Sequence, residues 1–506
     1  MKESIKHTME SIWQYHPDEP LFYTGLAFWI AFTAFLGIYA LVYRQKAIRN
    51  GYLLLISWFI YYQMNGAFLL LLAFSCAVNY GFGLWIHAQS RKRFVLAVAV
   101  GFNLLVLAYF KYTYFFIEQV NALFQANWEV FNWVGWLINR AVGSVVDEQS
   151  ILLPIGISFY TFQAISYLVD VYRGDSKVVR NPLDFSFYLS FFPQLVAGPI
   201  VRASSFIPQL YQKFRLKKEE FSHALFLITK GLFKKMVIAD FLAMNLIDRI
   251  FEAPMAYSGF ENLLALYAYS IQIYGDFSGY TDIAIGLALI LGFKIPVNFN
   301  APYQATSLTD FWHRWHISLS LWLRDYLYIP LGGNRKGKGR MVVNILITMV
   351  LGGLWHGANL RFIIWGAIHG LGLVVEKLVR KAFLHHARPR RWKKPIAVFF
   401  TFQVVSLTWL FFRARDYSAV QQFWFQLRFH FWPENISMGW ESYRMVLGIF
   451  VLGLVLIWVP NRYKEKLRGA FINLPVWGQL PLVLLVLLLI AFVAQANLQP
   501  FIYFRF

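Results

Sequence analysis

Cysteine and charged residues are scarce in this chain. Its 506 residues include one cysteine, Cys76, so an internal disulfide bond and a cysteine-based metal cluster are both excluded. Charged residues make up 14% of the sequence, whereas soluble domains carry roughly 25%. Because a water-exposed surface depends on such residues, this shortage predicts that a large part of the chain faces lipid.

Several motifs of common enzyme classes are missing as well. The sequence contains no P-loop glycine pattern, no HExxH and no GxSxG. These absences argue against an ATPase, a zinc peptidase and an α/β hydrolase. There is also no repeat at a fixed period and no low-complexity tract, so a repeat architecture is not expected.

Apolar residues dominate instead. They make up 58% of the chain, aromatic residues make up 19%, and the mean hydropathy is +0.48. Apolar runs of about 20 residues recur along the whole sequence, and a helix of that length crosses a hydrocarbon layer of roughly 30 Å. We therefore predict an all-α polytopic membrane protein with about eleven transmembrane helices and additional re-entrant and interfacial helices.

The charge that is present is strongly basic. The net charge of +21 comes from 47 lysines and arginines against 26 acidic residues. Such an excess can indicate nucleic-acid binding, but these basic residues form short clusters between apolar runs, as at residues 91–93 and 335–340. That distribution is typical of cytoplasmic loops and of contact with anionic lipid. We predict membrane lipids as partners and no nucleic acid.

The chain is predicted to be one integral membrane domain, residues 1–506, with three parts. Residues 1–20 are polar, and the apolar run after them is expected to be a retained span and not a cleaved signal peptide. Residues 153–370 hold the motifs that can carry chemistry, and residues 371–506 supply C-terminal helices.

Two features place polar groups inside apolar segments. Residues 187–202 contain Pro193, Gly198 and Pro199, which predicts a broken or re-entrant segment lining a cavity. Asp276 and Asp282 lie in an apolar run, so each is expected to tie two helices together or to face a cavity or an interface. Transporters share both features.

Histidines concentrate in residues 298–370, which hold four of the eleven. His316 and His356 each follow a tryptophan, and a buried imidazole needs a partner or a chemical role. At helical spacing, residues 306–328 divide into a polar face with His316 and Ser320 and an aromatic face with Trp315. We expect an amphipathic helix there, at the membrane surface or dipping into a cavity.

His356 is predicted to lie inside the membrane. Its helix is expected to begin near Met341, after a basic cytoplasmic loop, which puts His356 about 15 residues, or roughly 23 Å, along the helix. Gly352, Gly353 and Gly357 surround it, giving either close helix packing or room for a substrate. A neutral imidazole there is suited to act as a general base.

A metal site is not predicted. His313 and His316 have the i, i+3 spacing that can hold a metal ion on one helix face. However, no convincing set of companion carboxylates accompanies them in the sequence, and metal centres with histidine ligands need such further ligands.

Five segments in one order resemble the membrane-bound O-acyltransferase family, specifically its bacterial branch of alginate O-acetylation and teichoic acid D-alanylation proteins. They read LPIGISFYTFQAISYLVDVYRG, FFPQLVAGPIVR, YGDFSGYTDIAIG, NFNAPYQATSLTDFWHRWHISLSLWLRDYLYIPLGG and LGGLWHG, within residues 153–370. The terminal PFIYFRF also resembles the alginate-type proteins. The resemblance implies a curved helical core around a tunnel across the membrane.

The resemblance also implies acyl transfer from a thioester donor. The functional histidine of the family's WHG motif falls on His356, and that of its W-x-x-W-H-x-S motif falls on His316. We expect His356 to act as general base and His316 to orient the donor or stabilise the oxyanion from the cytoplasmic side. The expected donor is acetyl-coenzyme A, as a substrate, with no tightly bound cofactor.

The predicted substrate-binding residues surround these histidines. Arg324 and the basic loop that begins at Asn334 can attract the phosphates of coenzyme A. Trp315, Ser320 and Trp355 complete the set.

The acceptor is expected on the opposite side of a bacterial cytoplasmic membrane. The family resemblance implies a secreted or cell-surface polysaccharide such as alginate, reached through an extracytoplasmic SGNH-type acetyltransferase partner. A length of 506 residues favours the acetylation branch over the shorter teichoic acid proteins.

Two alternatives stay open. In one, the same fold transfers D-alanine from a carrier protein to teichoic acid, and a carrier-docking surface would lie near the basic loops. In the other, the chain is a transporter without chemistry of its own. Release of free coenzyme A from acetyl-coenzyme A would discriminate among them.

Overall fold

The structure is a computed structural model that describes residues 12–16, 20–142, 147–383, 393–434 and 439–493. The predicted polar N-terminal segment lies largely outside the described residues, and the terminal PFIYFRF lies wholly outside them. Within the described ranges, all regular elements are helices. This observation agrees with the predicted all-α fold.

The helices are numbered in chain order. The first twelve are α1 (Leu26–Val42), α2 (Lys46–Asn65), α3 (Phe68–Ala88), α4 (Lys92–Phe124), α5 (Trp133–Val142), α6 (Ile157–Arg173), α7 (Pro182–Ser190), α8 (Phe192–Ala197), α9 (Ala203–Leu210), α10 (Lys218–Leu232), α11 (Asp248–Glu252) and α12 (Gly259–Ile290). The remainder are α13 (Leu308–Trp312), α14 (Ile317–Leu323), α15 (Lys338–His356), α16 (Leu360–Phe383), α17 (Lys393–Arg413), α18 (Tyr417–Phe429), α19 (Trp440–Trp458), α20 (Asn461–Asn473) and α21 (Val476–Val493). Wider π-helical turns occupy Phe233–Asp240, Ala243–Ile247 and Arg324–Tyr328, and 3₁₀ turns occupy Pro254–Ala256 and Pro302–Gln304.

Six of the described helices, α3, α4, α15, α16, α17 and α21, are long and apolar enough to cross a membrane. Helices α19 and α20 would together make a seventh, but they bend by 96° where they meet. The predicted number of about eleven spans is therefore not confirmed. One reason is α12, which has 32 residues and is buried on most of its sides, so that protein and not lipid surrounds its polar groups.

Helix α12 is the centre of the fold. Its N-terminus carries a capping box, in which the Glu261 N–H donates to the Ser258 hydroxyl and the Ser258 N–H donates to the Glu261 carboxylate. It packs against α10 at backbone distance, since a Cβ added to Gly231 would lie 2.6 Å from the Gly279 carbonyl oxygen. Small residues permit this approach.

Two carboxylates of α12, those of Asp276 and Asp282, connect this helix to α10 and to the π-helical turn that follows α10. The carboxylate of Asp276 forms an ion pair with the ammonium of Lys235, with 2.6 Å between oxygen and nitrogen. Asp282 pairs with Lys230 at 3.0 Å and with Lys234 at 2.7 Å. Of the two predicted roles, the structure therefore supports the helix tie for both aspartates, because a buried carboxylate needs a paired cation.

Residues 187–202 form the predicted broken segment. Helix α7 ends at Ser190, α8 ends at Ala197, and Gly198 is extended. Protein hydrogen bonds satisfy the irregular backbone: the Tyr188 hydroxyl donates to the Val201 carbonyl at 2.9 Å, and the Ile200 N–H donates to the Ser318 hydroxyl at 3.0 Å. The segment is not part of the lining of the two cavities described below, so its lining of a cavity stays a prediction.

Candidate active site

The fold brings His316 and His356 together. Their ring centroids lie 6.4 Å apart, although forty residues of chain separate them. Both side chains are buried, with relative exposures of 0% and 2%. The two histidines that were predicted to act together are therefore neighbours in the structure, where α14 and α15 meet.

The backbone at His316 differs from the prediction. Residues 306–328 do not form one amphipathic helix, because α13 ends at Trp312 and His316 adopts the left-handed conformation, with φ 42° and ψ 54°, before α14 begins. The Ile317 N–H donates to the Asn298 carbonyl at 3.0 Å, and the Ser318 N–H donates to the Asn298 side-chain oxygen at 3.1 Å. These tertiary hydrogen bonds replace helical ones and hold a strained residue in place. The bend turns His316 towards the interior.

His356 is the last residue of α15. Rings surround it: the centroids of Trp355, Trp365 and Phe412 lie 5.0, 5.3 and 5.3 Å from its own. Its position at a helix end means that the adjacent backbone carbonyls lack intrahelical partners.

The glycines around His356 serve close packing. A Cβ added at Gly353 would collide with the Phe362 carbonyl, and one at Gly357 would collide with the Phe362 ring. At Gly352 the added atom would lie 3.1 Å from a methyl of Leu323. Protein atoms occupy the space beside each of these three glycines. The structure therefore favours close helix packing over room for a substrate.

A cavity of about 50 Å³ opens beside His356. We call it the His356 cavity. Its lining consists of Lys111, residues 153–159, Trp355 and His356. Part of this lining is the first turn of α6, where Gly156 takes a positive φ of 81° and a Cβ would lie 2.9 Å from the Leu195 carbonyl oxygen.

A larger cavity of about 160 Å³ lies near the basic loop. We call it the Arg324 cavity, and its lining is Trp312, Ser320, Leu323, Arg324, Tyr328, Ile345, Thr348, Met349 and Leu373. Most of these side chains are apolar, while the Arg324 side chain is 56% exposed. The structure thus brings together two of the predicted substrate-binding residues, Ser320 and Arg324.

The other three predicted substrate-binding residues lie elsewhere. Trp355 lines the His356 cavity. Trp315 is fully buried, stacked on Phe311 with ring centroids 5.6 Å apart, and lines neither cavity. Asn334 is exposed in the basic loop and also lines neither. Binding of substrate by these residues stays a prediction.

One apolar cluster contributes to the lining of both cavities. We call it the aromatic partition, and it comprises Phe159, Phe162, Ile165, Ile200, Leu319, Trp322, Leu323 and Trp355. Leu323 lines the Arg324 cavity and Trp355 lines the His356 cavity, and the two cavities share no lining residue. His316 contacts the partition, with its ring centroid 5.8 Å from that of Trp355.

Arg324 forms the rim of the Arg324 cavity, and two further arginines contact its chain neighbour Asp325. Asp325 accepts hydrogen bonds from Arg324, at 2.6 Å, and from Arg202. Partial burial alone would raise the pKa of Asp325, but these hydrogen bonds and charges hold that pKa below its ordinary value. Arg173 also donates to the Asp325 carbonyl at 3.2 Å, so the rim is net positive.

Lys111 is a residue of this site that the sequence reasoning missed. Its ammonium donates to the Trp355 carbonyl at 2.6 Å and to the His356 carbonyl at 3.2 Å. The available signal was a lysine deep within an apolar helix, which is a functional candidate by default. Its partners are more than 240 residues away in sequence, so its place in the site was not recognisable.

Among the described residues, no group of three or more histidine, cysteine, aspartate and glutamate side chains could hold a metal ion. The chemical groups that meet at the site are two imidazoles, one ammonium and aromatic rings. They can move a proton and stabilise a developing negative charge.

Apolar helices long enough to span a membrane, two buried histidines and an apolar cluster that lines two cavities define a multi-pass membrane protein with an internal polar site. The sequence profile of MBOAT, the membrane-bound O-acyltransferase family, matches residues 178–414. A probable alginate O-acetylase AlgI of Pseudomonas putida is 42% identical over 387 residues, which cover 76% of this chain and 75% of that protein.

Two further relatives differ in their named acceptors. A peptidoglycan O-acetyltransferase of Helicobacter pylori is 37% identical over 418 residues, covering 76% of this chain and 75% of that protein. A teichoic acid D-alanyltransferase of Streptococcus thermophilus is 31% identical over 293 residues, covering 53% of this chain and 70% of that protein. The chain belongs to the membrane-bound O-acyltransferase family. It is a multi-pass bacterial membrane acyltransferase, as predicted, and the transporter alternative is set aside.

Proposed function

We propose that this enzyme transfers an acetyl group from acetyl-coenzyme A on the cytoplasmic side towards O-acetylation of a secreted or cell-surface polysaccharide such as alginate. The observation that carries the proposal is the proximity of His316 and His356, whose ring centroids lie 6.4 Å apart beside the aromatic partition, with His356 lining a cavity. Relatives named for acetylation of alginate and of peptidoglycan support an acetyl group and a polysaccharide acceptor.

The Arg324 cavity is the proposed donor site. Its apolar wall suits the slender arm of a thioester, and the arginines at its rim suit phosphates, which guanidinium groups bind in bidentate geometry. The basic loop at residues 334–340 adds attraction for an anionic donor. To react, the thioester must pass the aromatic partition and reach His356.

His356 is the proposed general base. Its imidazole takes the proton of the acceptor hydroxyl while that oxygen attacks the thioester carbonyl carbon. The tetrahedral intermediate then collapses, the carbon–sulfur bond breaks, and the leaving thiolate receives the proton from His356 to give free coenzyme A. His316, in contact with both His356 and the partition, orients the thioester or stabilises the oxyanion.

The acceptor side is the His356 cavity. We propose that an acceptor hydroxyl enters there, either from the polysaccharide or from an extracytoplasmic SGNH-type acetyltransferase that carries the acetyl group onward. A cavity of about 50 Å³ admits a group of few atoms, and a single hydroxyl-bearing side chain satisfies that restriction better than a whole sugar ring.

Purified protein in nanodiscs with labelled acetyl-coenzyme A tests the proposal. His356→Ala should lower coenzyme A release by roughly 10²- to 10⁴-fold, the usual contribution of a general base. His313→Ala is the matched control, since His313 is exposed and has no proposed role, and it should retain activity. Full activity of His356→Ala in a correctly inserted protein would contradict the assignment.

The D-alanyl alternative is supported by the D-alanyltransferase relative. In the same assay, transfer from a D-alanyl carrier protein and no turnover of acetyl-coenzyme A would favour it. Turnover of acetyl-coenzyme A alone would exclude it as the main activity.

A further inference from the structure

Two lysines pair with one carboxylate between α10 and α12, and a third lysine lies near them on α20, which packs against α10. The ammonium groups of Lys230 and Lys234 lie 3.0 and 2.7 Å from the two oxygens of Asp282. Lys464 on α20 donates to the Ile457 carbonyl at 3.4 Å, and its electrostatic neighbours are Lys234 and Lys230, both positive. Three ammonium groups against one carboxylate give this lysine cluster a net charge of +2.

Such an arrangement is unfavourable without an anion. Lys230 and Lys234 are only 35% and 21% exposed, so water screens their mutual repulsion incompletely. Both oxygens of Asp282 already bind a lysine. The third lysine therefore adds a positive charge for which the cluster offers no carboxylate.

The cluster lies near a sharp bend of the chain. Helix α20 bends by 96° from the preceding helix and carries Arg462, Lys466 and Arg468 besides Lys464. A basic helix that turns away from the axis of the preceding apolar helix is typical of the membrane–water interface, where phosphate head groups lie.

We propose that Lys230, Lys234 and Lys464 bind a phosphate group. The same chemistry can come from the head group of an anionic phospholipid or from a soluble phosphate such as coenzyme A. A phosphate has several acceptor oxygens and up to two negative charges, which match the donors and the net charge of the cluster.

Lys464→Gln tests the site without disturbing the two ion pairs of Asp282. Lys466→Gln, on the same helix and exposed, is the matched control. In nanodiscs of phosphatidylcholine with and without phosphatidylglycerol, native mass spectrometry measures retained lipid. Retention of phosphatidylglycerol by Lys464→Gln should fall about fivefold, while Lys466→Gln and Lys464→Arg should match the unaltered protein.

The second arm uses phosphatidylcholine nanodiscs with added coenzyme A or inorganic phosphate, and measures the rise in Tm. A rise that Lys464→Gln loses and Lys466→Gln keeps would assign the site to a soluble phosphate. Equal behaviour of the two glutamine variants towards lipid, coenzyme A and phosphate would overturn the proposal.

A different observation concerns the catalytic helix itself. Lys111 donates to the carbonyls of Trp355 and His356, and the Tyr112 hydroxyl donates to the Leu354 carbonyl at 3.0 Å. Two successive residues of α4 thus bind the last three carbonyls of α15. Carbonyls at a helix C-terminus lack intrahelical partners, and a cation there is favoured by the helix dipole.

We infer that Lys111 is a positioning residue for His356; this inference rests on the proposed function. The ammonium lies in an apolar helix, where an ionisable group is costly unless it has a role. Its hydrogen bonds fix the end of α15, and with it the backbone that carries the imidazole. A displacement of about 1 Å at a reacting group can lower a rate by 10²-fold.

Kinetics of Lys111→Met and Lys111→Arg test the inference. Lys111→Met should lower kcat by about 10- to 100-fold with little change in the KM for acetyl-coenzyme A, and Lys111→Arg should recover most of the loss. In the His356→Ala background, Lys111→Met should cause no further loss, because its effect acts through the imidazole. A purely structural role would lower the Tm and the activity of both backgrounds alike.

The outcomes separate the two claims. A fully active His356→Ala variant would defeat the proposed function. An inactive His356→Ala variant together with a fully active Lys111→Met variant, or with a Lys111 effect that persists without His356, would defeat the positioning role alone.

Discussion

Phe162 and Trp322 stack face to face, with ring centroids 3.8 Å apart and an angle of 9° between the ring planes. The indole N–H of Trp322 also donates to the Phe162 carbonyl at 2.9 Å. This pair belongs to the aromatic partition, so it stabilises the fold, and we expect it to close the route between the Arg324 cavity and the His356 cavity.

Trp322→Ala should therefore have two effects. Loss of the buried ring should destabilise the protein by about 3–5 kcal/mol, seen as a lower Tm in detergent. The space left by the missing ring should also admit water and raise the rate at which acetyl-coenzyme A is hydrolysed in the absence of an acceptor. Trp424→Ala is the control, because Trp424 is 43% exposed. Unchanged hydrolysis in a folded Trp322→Ala variant would contradict the separating role.

The left-handed conformation of His316 depends on Asn298. The Asn298 side-chain oxygen accepts from both the N–H and the hydroxyl of Ser318, at 3.1 and 2.9 Å. Asn298→Ala leaves these donors unsatisfied, which should cost about 1–3 kcal/mol and release the strained backbone. Acetyl transfer should fall more than about tenfold, measured as kcat.

Asn300→Ala is the comparison for Asn298→Ala. Asn300 is two residues away, and its exposed side chain accepts from Asn461. It should keep near-normal activity. Equal losses in the two variants would mean that the whole connection before α13, and not the Asn298 side chain, determines the activity.

The helices could be predicted from sequence because apolar length is a local property. The spans of α3, α4 and α15 follow from runs of about 20 apolar residues. The number of spans could not be predicted in the same way. Whether a helix such as α12 contacts lipid or protein depends on which other helices surround it, and hydropathy does not record that.

The candidate site was predictable in part. His316 and His356 were recognisable from their motifs, and the structure brings the two together. The break at His316 was not predictable, because hydrogen bonds donated by Ser318 to Asn298 override the amphipathic pattern of residues 306–328. Lys111 reaches the site through contacts with residues 244 and 245 positions away, and no local pattern encodes such a contact.

Stability at low pH should depend on Asp325. Hydrogen bonds and charges from Arg324 and Arg202 hold the pKa of this carboxyl below its ordinary value of 3.8, despite partial burial that alone would raise it. A depressed pKa stabilises the folded state above the unfolded pKa, and this contribution is lost as the pH falls through the folded pKa. The Tm should therefore drop below about pH 4.

Asp325→Asn provides the comparison for that pH dependence. The variant should have a lower Tm at neutral pH, and the difference from the unaltered protein should shrink below about pH 4. Glu441→Gln is the control, since Glu441 is 78% exposed and a surface pair such as the one it forms with Arg444 contributes little. A difference that stays constant with pH would show that Asp325 acts through packing and not through charge.

Arg324 should determine donor affinity more than turnover. It lines the Arg324 cavity with its side chain 56% exposed, and neither imidazole lines that cavity. Arg324→Gln should raise the KM for acetyl-coenzyme A by roughly tenfold with kcat nearly unchanged, because a charge-assisted hydrogen bond is lost equally from the ground and transition states. The difference in KM between Arg324→Gln and the unaltered protein should shrink at high salt, since salt screens an exposed charge.

Arg415→Gln, which lies outside both cavities, should leave KM unaltered. A fall in kcat with constant KM would instead place Arg324 in the chemical step and move the donor phosphates to another cationic surface.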